Sequence, residues 1–399
     1  MVKPLPRREK VVFTFGFLLC AALLSLTLWK TADRTDLQIL LRAATRLDRG
    51  ETVYDLSDRD EHTKPPLATL LFVPLSQADP ATVRQVWDGL NIIVFIALAW
   101  YLTLRCWRER RIAISTGVVL SLLLLLNPWN KEVRLGQYNV LTLAALLMAG
   151  VGVAWTPLAW LRGGLVTVAL LLKPTNVLFL PWLWRHARGR SAVIRGVVAA
   201  LFALLVWYLT RYGAIALWRD TLAWVRFLPQ SAAKHLHQED NFGLPRWLDE
   251  EGLGRWTPVA WIVGWTAVFL SAFRAKRWLV GFAVAGAASI VLSPMAWFQN
   301  YTLLLPLAVY LLAEVFSREA GLFTRIGDIL ALLFLYAGLE VNPALCGPGI
   351  GLGACHALVP LWSLLAAGAV ALLAPAGNQA RRLLAARSAV DSPVTTPQN

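Results

Sequence analysis

The sequence predicts an all-helical, polytopic membrane protein, and three observations carry that expectation. Of its 399 residues, 57% are hydrophobic and 16% are charged, against roughly 45–50% and 25% in an average soluble domain. Apolar runs close to the length that crosses a hydrocarbon core of ~30 Å recur from residue 11 to residue 374. Short basic clusters punctuate these runs, as cytoplasmic connections of membrane helices do.

The elements follow in order. The apolar run 11–29 comes after Lys3, Arg7, Arg8 and Lys10 and could pass for a secretion signal. No small-residue cleavage pattern precedes Lys30, so it is read as a retained anchor. The first long polar loop, 31–66, opens with Thr35 and Gln38 in a capping-box pattern. Leu37, Leu40, Leu41, Ala44 and Leu47 then recur at helical spacing. An amphipathic helix on the membrane surface is expected, with Asp36 in its first turn and Arg42, Arg46 and Arg49 on its polar face. Residues 67–76 follow Pro65 and Pro66 and are interrupted at Pro74, too short to span and read as a half-helix.

Spans are expected at 83–104, 112–127, 138–154, 197–212, 256–273, 278–293, 301–316, 326–341 and 357–374, which with the first makes about ten full transmembrane helices. The run 164–184 is long enough to join them, but Arg162 precedes it and Arg185, Arg188 and Arg190 follow it. Both ends therefore favour one side, and Lys173 and Pro174 interrupt the middle, so two half-helices should enter and return. Irregular backbone at membrane depth persists only where protein or a water-filled cavity covers it, which directs attention to a buried site there. Residues 1–377 form one membrane-embedded domain, with 31–66 and 213–255 as its large outer loops. The tail 378–399, which ends rich in Ser, Thr and Pro, is expected to be cytoplasmic and disordered.

The net charge of +14 does not mark a nucleic-acid binder, because just over half of the Lys and Arg residues lie in the N-terminus and five short clusters between spans. Those clusters place both termini in the cytoplasm of a cell (inner) membrane protein, and the two long loops and four of the five histidines outside. Chemistry on polar substrates is thus expected at the periplasmic or outer face. Cys346 and Cys355 share one outer loop, where a disulfide and two free thiols are both compatible with the sequence. No cysteine and histidine spacing indicates a structural metal. His235, His237, Glu239 and Asp240 are loosely spaced for ligands, so neither metal nor cofactor is expected and the loop is read as an acceptor-binding lid.

Several short motifs stand in order: Asp36-Leu37, Ala43-Ala44, Gly50, Val53-Tyr54-Asp55, Pro65-Pro66-Leu67, Pro74-Leu75, Trp87 and Leu90-Asn91. Gly136-Gln137-Tyr138-Asn139, Leu172-Lys173-Pro174, Leu292-Ser293-Pro294, Trp297, Tyr301 and Leu305-Pro306 continue them. Together they resemble glycosyltransferase family 87 of the GT-C superfamily. The resemblance implies a GT-C-type fold and an inverting transferase that takes a hexose, typically mannose, from a polyprenyl-phosphate donor. It implies a lipid-linked or envelope glycan acceptor, and it implies that Asp36 is the general base. Two departures, Lys64 before Pro65-Pro66 and Phe298-Gln299-Asn300 where a histidine often follows the tryptophan, leave histidine-assisted proton relay and mannose as donor sugar open.

The residues fit that chemistry. A polyprenyl phosphate is already a good leaving group, so one carboxylate to accept the acceptor's proton suffices. The departing phosphate gains charge that cations stabilise. Lys173 inside the membrane is the first candidate, with Lys131 and Arg134 in a short outer loop as the second. Gln137, Asn139, Gln299 and Asn300 lie at outer span ends and are candidates for sugar or acceptor hydroxyls. Blander roles compete: Asp36 could merely complement its helix dipole, Lys173 could snorkel, and the amides could bond between helices. A polyprenyl-lipid or small-molecule transporter or flippase would also use broken helices, although no repeated halves are present in the sequence.

Overall fold

In this computed structural model, residues 11, 14–16, 18, 36–54, 62–106, 114–151, 156–187, 189–238, 241–274, 278–316, 322–337 and 339 are described. Most of the run 11–29, the run 357–374, the Cys346 and Cys355 pair and the tail 378–399 lie outside them. Among the described residues the architecture is helical, with a single isolated bridge between Asn241 and Trp297. Among the described residues, four helices are long and apolar enough to cross a membrane, Pro80–Cys106, Arg190–Leu236, Gly254–Arg274 and Phe298–Val315, and four shorter apolar helices accompany them.

The amphipathic helix forms over the expected residues, but its apolar face packs against protein. Helix α1, Asp36–Asp48, buries Leu37, Leu40, Ala43, Ala44 and Leu47 and leaves Arg42 exposed. Its apolar face joins a cluster with Tyr54, Phe72, Tyr138, Tyr208 and Phe227. Below it the half-helix divides into α2, Pro66–Leu70, and α3, Val73–Ser76, each with a proline in its first turn. There the missing N–H costs no helical hydrogen bond.

The long helix α4, Pro80–Cys106, leads to α5, Ile114–Leu124, and the chain then breaks at Leu125 before α6, Leu126–Leu135. The expected span 112–127 therefore ends early, because Asn127, Asn130, Lys131, Glu132 and Arg134 make the following turns amphipathic rather than uniformly apolar. Helix α7, Asn139–Val151, and α8, Thr156–Leu172, run up to the break at Lys173. A 3₁₀ segment, Pro174–Phe179, and α9, Leu180–His186, complete that interrupted pair.

Helix α10, Arg190–Leu236, bends at Gly213 (φ 83°) and continues through much of the stretch expected to be loop. It packs on α8 where Gly163 and Gly196 let the two backbones touch, a close approach that small residues permit between membrane helices. A short α11, Leu244–Glu250, precedes α12, Thr257–Arg274, and α13, Trp278–Val291. The 3₁₀ segment Phe298–Leu304, α14, Leu305–Val315, and α15, Leu322–Tyr336, close the bundle. Its core includes Phe95, Trp129, Phe179, Trp182 and Phe282.

Candidate active site

The site begins with one tight turn and the helix that holds it. Helix α6 ends at Gly136 in the left-handed conformation (φ 66°), and a Cβ there would also come within 2.8 Å of the Leu37 Cβ. Glycine is therefore required both for the turn and for the approach of α1. Three side chains on one face of α4 tie the turn down. Arg84 donates to the carbonyls of Val133 and Arg134 at 2.9 and 2.8 Å. Trp87 Nε1 donates to the carbonyls of Gly136 and Gln137 at 3.0 and 3.1 Å, and Asn91 Nδ2 to that of Gln137 at 3.1 Å. The turn then presents Gln137, Tyr138 and Asn139 in order.

The break after α8 brings the cation. Pro174 can neither continue the helix nor donate a backbone N–H, and Asn176 Nδ2 donates to the carbonyl of Ala169 at 2.9 Å. Lys173 is extended at this point, and its Nζ donates to Asn139 Oδ1 at 2.8 Å. Asn139 in turn sits at the first turn of α7, where Glu132 accepts the Val140 N–H at 2.8 Å and the Thr302 hydroxyl. Burial pushes the Glu132 carboxyl up to about 7, opposed by those two hydrogen bonds and by the charge of Lys173. Glu132 thereby links α6, α7 and the Phe298–Leu304 segment around the asparagine that holds the lysine.

A cavity of about 450 Å³ collects these parts. Asp36, Gln137, Asn139, Lys173, Gln299 and Asn300 all line it, together with His62, Lys64, Tyr138, His235 and Trp297. Asp36 is the sole carboxylate among the described residues that do so. Lys64 stands 5.5 Å from the centre of the Tyr138 ring, so a second cation faces the cavity near the carboxylate. His62 donates or accepts through Nε2 with Thr69 at 2.7 Å, and desolvation lowers its pKa to about 3, which keeps it neutral.

The far wall comes from the bent half of α10. Leu228, Ala232 and His235 line the cavity, and the His235 ring meets the Trp297 ring edge-on with centroids 5.8 Å apart. Asn241, fully buried, fastens this wall. Its amide donates to the carbonyls of Leu236 and Pro294 at 3.0 and 2.8 Å and its Oδ1 accepts from Ala296 N at 2.9 Å. Among the described residues, no three His, Cys, Asp or Glu side chains converge as metal ligands, and Glu239 and Asp240 lie outside those residues.

Lys131 and Arg134 are not brought to this cavity. They line a separate one of about 320 Å³ with Asn127, Asn130, Leu135 and Phe298. Sequence reasoning also passed over Glu132, Asn241 and a cavity role for Lys64 and His235. The first two carried a usable signal, a lone acid in an otherwise basic amphipathic turn and a polar residue ahead of a Gly-Leu-Pro start; the last two depend on how distant segments fold together.

Ionisable groups gathered in one cavity of a multi-spanning helical protein mark a candidate substrate site. The sequence pattern of Glycosyltransferase family 87 matches residues 62–294, more than half of the chain, and the chain belongs to that family. It is a membrane glycosyltransferase. The matched stretch begins at His62, so α1 and Asp36 precede it.

Two curated relatives come from Mycolicibacterium smegmatis. A polyprenol-phosphate-mannose-dependent alpha-(1-2)-phosphatidylinositol pentamannoside mannosyltransferase is 28% identical over 311 residues, 73% of this chain and 72% of the relative. A polyprenol-phosphate-mannose-dependent alpha-(1-2)-phosphatidylinositol mannoside mannosyltransferase is 24% identical over 293 residues, 66% of this chain and 64% of the relative. Among solved structures, ArnT from Cupriavidus metallidurans bound to undecaprenyl phosphate covers 90% of this chain and 76% of its own at 15% identity, with a TM-score of 0.33. So loose a superposition assigns no residue.

Proposed function

We propose that the chain transfers a mannosyl group from a polyprenyl-phosphate donor to a hydroxyl of a lipid-linked glycan on the non-cytoplasmic face, with Asp36 as general base. The observation that carries this reading is the meeting of Asp36 with Lys173, Lys64 and five amide side chains in one cavity. The donor and the lipid-linked acceptor are those named for the two mannosyltransferase relatives. The basic clusters support a cytoplasmic position for both termini.

The reaction then runs in one displacement. Asp36 takes the proton of the acceptor hydroxyl as its oxygen forms a bond to the anomeric carbon. The bond from that carbon to the phosphate oxygen breaks, and the polyprenyl phosphate leaves with the electron pair and one more negative charge. Lys173, held by Asn139, and Lys64 stabilise that charge. A single carboxylate, with no second one among the described lining residues to form a glycosyl-enzyme intermediate, fits inversion at the anomeric carbon. Gln137, Gln299, Asn300 and the Trp297 ring are placed to bind and orient sugar, and Gln299 Oε1 is buried without a hydrogen-bond partner of its own.

The test is transfer by the purified protein from radiolabelled polyprenyl-phosphate mannose to an acceptor extract of membrane lipids. A labelled glycolipid is expected. Donor binding without any labelled product, with label instead crossing the bilayer of a proteoliposome, would support a flippase and sink the transferase reaction.

A further inference from the structure

Asn127, Asn130, Lys131 and Arg134 recur at the spacing that puts side chains on one face of a helix, and α6 is helical across all four. The opposite face, Pro128, Trp129, Glu132 and Val133, is buried in the bundle. The polar face opens instead on the cavity of about 320 Å³, closed on its other side by Phe298. Lys131 Nζ lies 5.9 Å from the centre of the Phe298 ring. Arg134 Nε and Asn130 Oδ1 are buried atoms without a hydrogen-bond partner. Leaving a charged donor and a carbonyl acceptor unsatisfied costs free energy unless water or a ligand completes them.

We propose that this cavity is a second anion subsite, which holds the phosphodiester head group of the lipid acceptor apart from the donor phosphate. The proposal rests on the transferase reading and adds to it a separate place for the acceptor's head group. Two cations, with no carboxylate among the described lining residues, favour an anion such as a phosphodiester. The Asn130 carbonyl supplies an acceptor for a neighbouring hydroxyl, as on a polyol head group. Leu135 lines both cavities, and Phe298 adjoins Gln299 of the first, so a head group seated here has its glycan directed toward Asp36. Lys173 and Lys64 are left to the donor phosphate. Two separately charged lipids then occupy one enzyme without competing for the same cations.

The experiment measures binding to the full-length protein in phosphatidylcholine nanodiscs, read by tryptophan fluorescence. The probes are dihexanoyl phosphatidylinositol, undecaprenyl phosphate and inorganic phosphate. Arg134→Gln and Lys131→Gln are each expected to weaken dihexanoyl phosphatidylinositol about tenfold, as loss of one charged hydrogen bond does. Both should leave undecaprenyl phosphate binding unchanged, which also shows that each variant is folded. Arg134→Lys keeps the charge and should retain most of the affinity. Unchanged dihexanoyl phosphatidylinositol binding in both glutamine variants overturns the proposal. So does a loss of undecaprenyl phosphate affinity, which would assign the cavity to the donor, or displacement by an equal concentration of inorganic phosphate, which would make it a free-phosphate site. Because the readout is binding, a protein that transferred no sugar would defeat the proposed reaction, while the titration would still decide whether the second cavity holds a phosphodiester.

Discussion

Asp36 and Asp48 stand at opposite ends of the same thirteen-residue helix, and their surroundings differ in kind. Asp36 faces a cavity that it shares with Tyr138 and two lysines. Asp48 is a partly exposed ion-pair partner: Arg211 Nε donates to its Oδ1 at 3.0 Å, and Tyr212 OH lies 3.3 Å from the same oxygen. The Arg211 hydrogen bond holds the Asp48 carboxyl below its ordinary range. One acid thus lines the space a substrate would enter, while the other clips α1 to α10 next to the bend at Gly213. The residue type is the same, and what each does is decided by the segment it meets.

That contrast can be broken most forcefully at Asp36. Asp36→Asn keeps size and much of the hydrogen bonding but cannot accept the hydroxyl proton, so turnover with polyprenyl-phosphate mannose should fall by roughly 10²–10⁴. Undecaprenyl phosphate binding should persist. Wild-type transfer by this variant would leave Asp36 with only its helix-dipole role. Lys173→Met tests the partner across the cavity, where loss of a transition-state charge contact is expected to lower turnover about 10²-fold and to weaken undecaprenyl phosphate binding as well. Equal kinetics in the variant and the parent would mean that the lysine only fills its helix break.

Gly136→Ala probes the joint between the two, because it forces an L-residue into the left-handed region and pushes a methyl group against Leu37. The backbone term alone costs about 1–2 kcal/mol, so a lower thermal midpoint and a partial loss of transfer should appear together. Normal activity at a lowered midpoint would separate the turn from the site. Asp48→Asn should do least: transfer stays close to the parent, while the thermal midpoint falls slightly. The folded-state pKa of Asp48 is depressed, so its contribution is present above the ordinary value of 3.8 and is lost as pH falls through the lowered one. The thermal midpoint of the parent should therefore fall toward that of the asparagine variant only in that acidic window. A catalytic defect in Asp48→Asn equal to that of Asp36→Asn would erase the distinction.

Much of this was legible in the residues themselves. The apolar stripe from Leu37 to Leu47 defines α1 because a 3.6-residue repeat is a property of neighbouring residues. Pro174 breaks its helix wherever that helix lies, and Gly136 ends α6 for the same local reason. The stretch 213–255 was harder, since its charged and aromatic residues lower mean hydropathy and read as loop, yet tertiary contacts such as Tyr208 OH to Asp220 Oδ2 at 2.6 Å sustain helix through Leu236.

Membrane residence, the amphipathic helix, the break at Lys173 and the family pattern were determined by sequence alone, because each follows from local periodicity, proline geometry or an ordered set of short motifs. Which side chains share a cavity was decided only by tertiary structure. Lys131 and Arg134 lie close in sequence to Gln137, yet the break at Leu125 sets the face of α6 and turns them to a different cavity. Lys173 and His235 come from distant segments and join Asp36. Periodicity specifies the face on which a side chain lies, but the element that this face meets depends on helix ends and long-range packing, which no local pattern encodes.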